Sequence, residues 1–210
     1  MSNPLAVLRV FALVLLVFAL TMLAPAAVAH VGQDSAATAF QLGCAITFVS
    51  ATTLWLFARR HTDELRVRDG FLLVSLVWVV VPVFATIPLL LFMPAMSFTD
   101  AYFETVSGLT TTGSTVIEGL DILPFSINFW RALLVFLGGM GLIVLAVAIL
   151  PLLGVGGRQL FSAESPGPIK ETRLTPRMAQ TAKGLWLTYL VLAVACTLGY
   201  AWAGMGWGDA

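Results

Sequence analysis

Residues 97–121 read SFTDAYFETVSGLTTTGSTVIEGLD, and this stretch is the most informative part of the chain. Ser97 followed three residues later by Asp100 is a typical helix start, because a serine side chain there accepts a hydrogen bond from the first turn. The sequence then predicts a helix over Ala101–Leu109, which rises only about 15 Å. Such a helix enters a bilayer, whose hydrocarbon core is about 30 Å thick, without crossing it.

The residues after this short helix, TTTGST at 110–115, are a poor helix sequence between two apolar stretches. Non-helical backbone at membrane depth is tolerated only where it is buried in protein or lines water. A short helix, a Thr/Gly turn and a return to the surface indicate a pore loop, in which backbone carbonyls replace the water around a cation. The carbonyls we predict for this role belong to Thr110, Thr111, Thr112 and Gly113. The alternative is a re-entrant or surface loop in which threonine provides solubility.

Two further features favour a cation at this loop. The C-terminal end of the short helix carries the negative end of its dipole and is predicted to point toward the membrane centre. Gly113 permits backbone angles that threonine adopts only with difficulty.

The composition places the rest of the chain in a membrane. Of 210 residues, 59% are hydrophobic and 10% are charged, whereas soluble domains hold about 25% charged residues. The net charge of zero gives no electrostatic support for nucleic-acid binding, so the expected partner is the lipid bilayer. Five apolar stretches are long enough to span it: Val10–Ala29, Ala36–Ala58, Phe71–Met93, Ala132–Leu153 and Gly184–Ala203.

The basic residues predict the orientation of these spans. They cluster after the second and fourth stretches, as Arg59, Arg60, Arg66, Arg68, Arg158, Lys170, Arg173, Arg177 and Lys183. The connections at 30–35 and 94–128 contain no Lys or Arg. Because basic connections stay in the cytoplasm, the N-terminus with Arg9 is predicted inside and residues 94–128 outside. We therefore expect a multi-pass protein of the bacterial inner (plasma) membrane.

The first apolar stretch has two interpretations. One Arg, an apolar run and the sequence AVA at 27–29 resemble a secretory signal with its cleavage site. The interpretation we favour is a retained helix that ends at Pro25. In the third stretch, Pro82 and Pro88 are expected to bend a membrane helix, which tolerates proline.

Charged residues near the predicted pore loop are open to several interpretations. Asp100 and Glu104 share one face of the short helix. They either attract cations to the pore mouth or are ordinary charges near a helix N-terminus. Arg131, next to Trp130 at the outer end of the fourth stretch, is interpreted as an interfacial anchor.

Small and sulfur-containing residues indicate packing rather than chemistry. Gly138–Gly141 reads GGMG within the fourth stretch, and small residues let helices approach closely. We prefer this interpretation to a hinge. Cys44 and Cys196 lie in separate apolar stretches and are interpreted as small buried residues rather than a disulfide or a metal pair. His30 and His61 are isolated, and we expect no cofactor.

A weak internal repeat supports a modular architecture. The third apolar stretch is followed after a short link by Asp100-Ala101, and the fifth by Asp209-Ala210. We predict an all-α membrane protein in four parts. These are two N-terminal helices with a cytoplasmic loop (1–70), one membrane–pore-loop–membrane repeat (71–157), a cytoplasmic linker (158–183) and the first helix of a second repeat (184–210). One pore loop cannot enclose an ion, so the chain is expected to belong to a longer protein or to need other subunits.

Several motifs resemble a known family. Gly108–Val116 reads GLTTTGSTV and Gly138–Gly157 reads GGMGLIVLAVAILPLLGVGG. Both strongly resemble Trk-type potassium uptake proteins of the Trk/Ktr/HKT superfamily. SAESPGP at 162–168 and LTPRMAQTAKGLW at 174–186 fit the same family. The similarity runs from about Phe71 onward, and the two extra N-terminal helices resemble the Trk branch more than the Ktr branch.

The resemblance implies four membrane–pore–membrane repeats around one pore, each with a filter strand and a central glycine. Here that glycine is Gly113, and the ion-facing carbonyls belong to Thr110, Thr111 and Thr112. Members of the family work with a cytoplasmic nucleotide-binding regulatory subunit and tend to form homodimers. The expected function is potassium uptake by a longer protein, with potassium as the transported substrate.

Two other functions are alternatives to transport. The first alternative is a non-conducting membrane scaffold or assembly subunit. An enzyme embedded in the membrane is disfavoured, because such enzymes need nucleophiles, acids or metal ligands within the spans. The middles of the predicted spans contain no His, Asp, Glu, Lys or Arg.

Overall fold

The computed structural model describes residues 4–63, 67–149 and 174–206, and all regular structure in them is helical. The helices are α1 (Pro4–Thr21), α2 (Leu23–Val31), α3 (Ala37–Ala58), α4 (Val67–Phe92), α5 (Phe98–Leu109), α6 (Phe125–Ile149) and α7 (Leu174–Trp202). A 3₁₀ turn at Leu120–Ile122 precedes α6. The predicted all-α fold class, with a short helix between two long ones, is confirmed.

The long helices match the predicted spans. Within the described part of the chain, four helices are long and apolar enough to cross a membrane: Pro4–Val31, Ala37–Ala58, Arg68–Phe92 and Ala182–Trp202. They correspond to the first, second, third and fifth predicted stretches. The predicted fourth span, Ala132–Leu153, lies in α6 as far as Ile149, and its remaining residues are outside the described ranges.

The first span is interrupted at Met22 and is not ended by Pro25, so that expectation is wrong. A proline ring clashes with the carbonyl four residues earlier and removes one helical hydrogen bond. The carbonyl four residues before Pro25 belongs to Thr21, the last residue of α1. The interruption therefore falls one turn before the proline, and α2 continues through it to Val31.

The last described helix begins earlier than predicted. It starts at Leu174, within the stretch predicted as linker, and its 29 residues rise about 44 Å. That length exceeds the hydrocarbon core, which is about 30 Å thick. The helix therefore includes residues on the N-terminal side of Lys183, the charge at which the predicted span began. Pro176 lies in its first turn, where proline is tolerated. Residues 158–173 of the predicted linker and Asp209-Ala210 lie outside the described residues.

The chain divides into two compact units, residues 1–138 and 139–210. In the first unit, α3 contacts α1, α2 and α4, and α5 packs on α4. Trp130 of α6 is fully buried, with its ring centroid 5.8 Å from that of Phe18 and 6.0 Å from that of Phe40. The N-terminal part of α6 is therefore joined to the N-terminal helices by aromatic contacts.

The backbone of α4 near its two prolines receives side chains from α5 and α6. Helix α4 is continuous through Pro82 and Pro88. Neighbouring helices can satisfy carbonyl groups in such regions. The three bonds, of 3.0, 3.0 and 3.3 Å, run from Tyr102 Oη to Val79, from Thr105 Oγ1 to Pro82 and from Trp130 Nε1 to Ala85. The bonds from Tyr102 and Thr105 position the short helix α5 on α4, and the bond from Trp130 joins α6 to α4.

The two cysteines are free, as predicted, and Cys44 is half-buried. Cys196 is exposed, so the prediction that it is buried is wrong. An apolar residue on a membrane helix needs no cover from protein, because hydrocarbon replaces water as the solvent.

Candidate functional site

The short helix α5 starts and ends where the sequence predicts. Ser97 Oγ accepts a hydrogen bond of 3.1 Å from the Asp100 backbone N–H, and the same hydroxyl donates to Asp100 Oδ2 at 2.7 Å. The helix ends at Leu109. The local N-cap therefore fixes where α5 begins, and the helix has 12 residues. The residues that follow it, 110–116, are called the Thr/Gly segment.

The backbone of the Thr/Gly segment has left-handed residues at alternate positions. Thr111 has φ +57° and Gly113 has φ +75°. Glycine adopts such angles freely, but for a β-branched residue they are an outlier that costs about 1–3 kcal/mol. The sequence indicated this freedom for Gly113 and missed the strained threonine. Strained backbone of this kind is retained where the surrounding structure imposes it.

The hydrogen bonds of the turn leave four consecutive carbonyls unused. The last carbonyls of α5 are occupied: Val106 accepts from Thr110 N–H at 2.8 Å, and Ser107 accepts from Thr112 N–H at 2.9 Å. Among the described residues, no hydrogen bond ends on the carbonyl oxygens of residues 110–113. All four residues are exposed. The predicted ligand groups are thus contiguous and accessible, and their role as cation ligands stays a prediction.

Glu104 occupies neither of its two predicted roles. Its side chain is only 3% exposed, and Oε1 accepts a hydrogen bond of 2.7 Å from Arg131 Nε. Oε2 accepts from Thr115 Oγ1 at 3.0 Å and from the Val116 N–H at 3.1 Å. It is therefore neither an exposed charge at a pore mouth nor an ordinary helix charge, because the packing of α6 on α5 encloses it.

Arg131 is likewise more than an interfacial anchor, which corrects its interpretation from the sequence. Its side chain is 21% exposed and ion-paired with Glu104. A second, longer contact of 3.4 Å reaches Asn128 Oδ1. The sequence did hold a signal for this partnership: a basic residue near a connection otherwise free of Lys and Arg needs a neutralising partner.

A cavity of about 250 Å³ lies beside the Thr/Gly segment, on the side facing α6. Its lining includes Glu104, Arg131, Ser107 and Gly113. Ser107 Oγ donates to the Ser114 carbonyl at 2.7 Å, which ties the segment back to α5. The space next to the segment is therefore lined partly by the paired side chains of Glu104 and Arg131 and partly by apolar residues such as Ala132 and Val135.

The Gly138–Gly141 motif provides the close packing that the sequence predicts. A Cβ on Gly138 would lie 2.6 Å from the carbonyl carbon of Leu109 and would overlap its oxygen. Helix α6 therefore packs directly against the last residue of α5, immediately before the Thr/Gly segment. At Gly141, by contrast, a Cβ would meet no described atom within 4 Å.

The chain was compared with known proteins. A family model described as TrkH, cation transport protein, matches residues 36–208. The chain is 50% identical over 201 residues to the Trk system potassium uptake protein TrkH of Vibrio parahaemolyticus, which covers 95% of this chain and 41% of that protein. It is 47% identical over 206 residues to TrkH of Escherichia coli K12, which covers 98% of this chain and 43% of that protein.

A solved structure shows the same fold. The crystal structure of the potassium transporter TrkH from Vibrio parahaemolyticus matches with a TM-score of 0.83 and 43% sequence identity, over 99% of this chain and 41% of that chain. The chain thus spans about two fifths of the length of the relatives that it matches. With the family match extending over most of its residues, the chain belongs to the TrkH family of cation transport proteins.

Proposed function

We propose that this chain contributes one pore loop to a potassium-uptake transporter and that carbonyl oxygens of its Thr/Gly segment bind the ion. The proposed ligands are the backbone carbonyls of Thr110, Thr111, Thr112 and Gly113. The relatives named above are potassium uptake proteins. The substrate proposed here follows from membership of their family.

The observation that carries this proposal is the run of four accessible carbonyls that accept no hydrogen bond within the described residues. Backbone carbonyls are strong acceptors and require a partner, which is water or an ion when protein supplies none. Rings of such carbonyls replace the hydration shell of potassium in selective pores. The left-handed angles at Thr111 and Gly113 also support a functional site, because strained backbone is concentrated at such sites.

The complete pore is part of the proposal. One segment supplies one side of an ion site, and the matched relatives are more than twice as long as this chain. We propose that further loops of a longer protein complete the ring in the inner membrane, with the N-terminus in the cytoplasm. By family resemblance, the full-length protein acts as a homodimer with a cytoplasmic nucleotide-binding regulatory subunit.

Replacing Gly113 with serine in the full-length protein tests the ion site. A Cβ at this position meets open space, but the φ of +75° is unfavourable for any side chain by roughly 1–2 kcal/mol. Relaxation of the backbone would move the carbonyls of the segment. We expect slower rubidium uptake, or uptake more sensitive to competing sodium, with near-normal membrane insertion.

The matched control is Gly70→Ser, at a helical glycine of α4 where a Cβ also meets open space. Both variants add the same atoms, and only one changes a left-handed residue of the segment. Uptake is normalised to the amount of protein in the membrane. If Gly113→Ser equals wild type in both rate and sodium competition, the segment does not bind the ion.

A further inference from the structure

Glu104 is a buried carboxylate. Its described side-chain hydrogen bonds join the Thr/Gly segment to α6. A buried ionised group is costly unless it is paired and hydrogen-bonded. Here one oxygen, Oε1, receives the Arg131 Nε donor at 2.7 Å. The other, Oε2, receives the Thr115 hydroxyl at 3.0 Å and the Val116 N–H at 3.1 Å. The carboxylate therefore bridges α6 to the end of the Thr/Gly segment, residues 114–116, which we call its outer arm.

Ser107 extends this attachment along the same face of α5. It lies three residues after Glu104, so the two side chains are neighbours on the helix. Ser107 holds the Ser114 carbonyl at 2.7 Å. Three consecutive residues, 114–116, are thus attached to α5 directly after the proposed ion-binding carbonyls end at Gly113.

We propose that Glu104 is a positioning residue that fixes the outer arm of the Thr/Gly segment and thereby sets discrimination between potassium and sodium. Arg131 supplies the counter-charge and orients the carboxylate through the contact of 2.7 Å. This inference rests on the proposed function, because it assigns a cause to the selectivity of the same site.

The physical reason is the mobility of the carbonyls. Discrimination between two ions of equal charge depends on the number, spacing and field of the coordinating carbonyls. Hydrogen bonds to an ionised acceptor are shorter and about twice as strong as neutral ones. An arm held by two such bonds resists the inward movement that a smaller ion requires. Loosening the arm should therefore favour sodium more than it weakens potassium.

The test uses the full-length protein with Glu104→Gln and Thr115→Val, which remove opposite halves of one contact. The matched control is Glu118→Gln, the same substitution at an exposed residue just after the segment. Rubidium uptake is measured over a range of rubidium and sodium concentrations. The inhibition constant for sodium relative to the KM for rubidium is independent of how much protein reaches the membrane.

We expect this ratio to fall by about fivefold or more in Glu104→Gln, the factor that corresponds to one lost hydrogen bond. Thr115→Val should shift it in the same direction. The double variant should be no worse than the more severe single variant, because both act through one contact. Thr115→Ser keeps the hydroxyl and should be much milder than Thr115→Val. Glu118→Gln should leave the ratio as in wild type.

The outcomes separate this inference from the proposed function. If Gly113→Ser alters sodium competition while Glu104→Gln and Thr115→Val behave like Glu118→Gln, the positioning role is wrong and the ion site stands. If none of these variants alters it and Gly113→Ser also keeps the wild-type uptake rate, the proposed function itself fails. Should Glu104→Gln not reach the membrane, Thr115→Val still decides, because Thr115 is exposed and its loss leaves no buried charge unpaired.

Discussion

Gly138→Ala is expected to push α6 away from the C-terminal end of α5. The added Cβ would lie 2.6 Å from the Leu109 carbonyl carbon, whereas carbon atoms in good contact are about 3.5–4.0 Å apart. The helix must therefore move by about 1 Å or more. Overpacking of this kind costs about 1–3 kcal/mol. Alanine offsets part of that cost, since it favours helix over glycine by roughly 0.5–1 kcal/mol.

The control that isolates the contact is Gly141→Ala in the same helix. Both changes gain the same helix propensity, but at Gly141 the Cβ meets no described atom within 4 Å. Gly139 is unsuitable as a control, because a Cβ there would lie 2.6 Å from the Tyr189 hydroxyl. The difference between Gly138→Ala and Gly141→Ala should therefore be about 1–3 kcal/mol in the free energy of unfolding.

The assay is thermal unfolding of the purified full-length protein in detergent, followed by rubidium uptake in cells. Gly138→Ala should lower the unfolding midpoint, and Gly141→Ala should leave it unchanged or raise it. Because Leu109 directly precedes Thr110, uptake should fall in Gly138→Ala as well. Equal midpoints for the two variants would refute the close approach of α6 to α5.

Two further predictions concern the outer connections and the orientation. Asp34 caps α6 and closes the turn before α3, since Oδ2 accepts from Ser126 N–H at 3.1 Å and Oδ1 accepts from Ala36 N–H at 2.7 Å. Asp34→Ala should cost about 0.5–2 kcal/mol per lost cap in thermal unfolding, and a result equal to that of the exposed Asp121→Ala would contradict this. In a cysteine-free background, Gly119→Cys should react with an impermeant thiol reagent from outside, whereas Arg66→Cys and Lys170→Cys, at positions outside the described residues, should not. Reaction of Arg66→Cys from outside would reverse the predicted topology.

Much of the site could be named from the sequence because its signals are local. The Ser97–Asp100 cap lies within a single helical turn, and the structure confirms it. The four carbonyl groups proposed as ion ligands were named from a short run of threonine and glycine, and their role stays a prediction. The left-handed angle at Thr111 was not predicted, because a β-branched residue does not choose it and only its surroundings impose it.

The interactions that the sequence missed join residues far apart in the chain. Glu104 and Arg131 are 27 residues apart, and Asp34 and Ser126 are 92 apart. Each partner alone has several plausible roles, as the two interpretations of Glu104 illustrate. Which role applies depends on the side chains that helix packing brings together.

The sequence alone predicted the membrane environment, the helical fold class and most of the membrane spans, because apolar length and charge are properties of single stretches. Ala37–Ala58 was placed to within one residue on this basis. The tertiary structure, in contrast, sets where α6 begins, since Asp34 from another connection caps this helix. It also decided that Glu104 is buried, because a carboxylate is stable there only after Arg131, Thr115 and Val116 have been brought to it by the packing of α5 and α6.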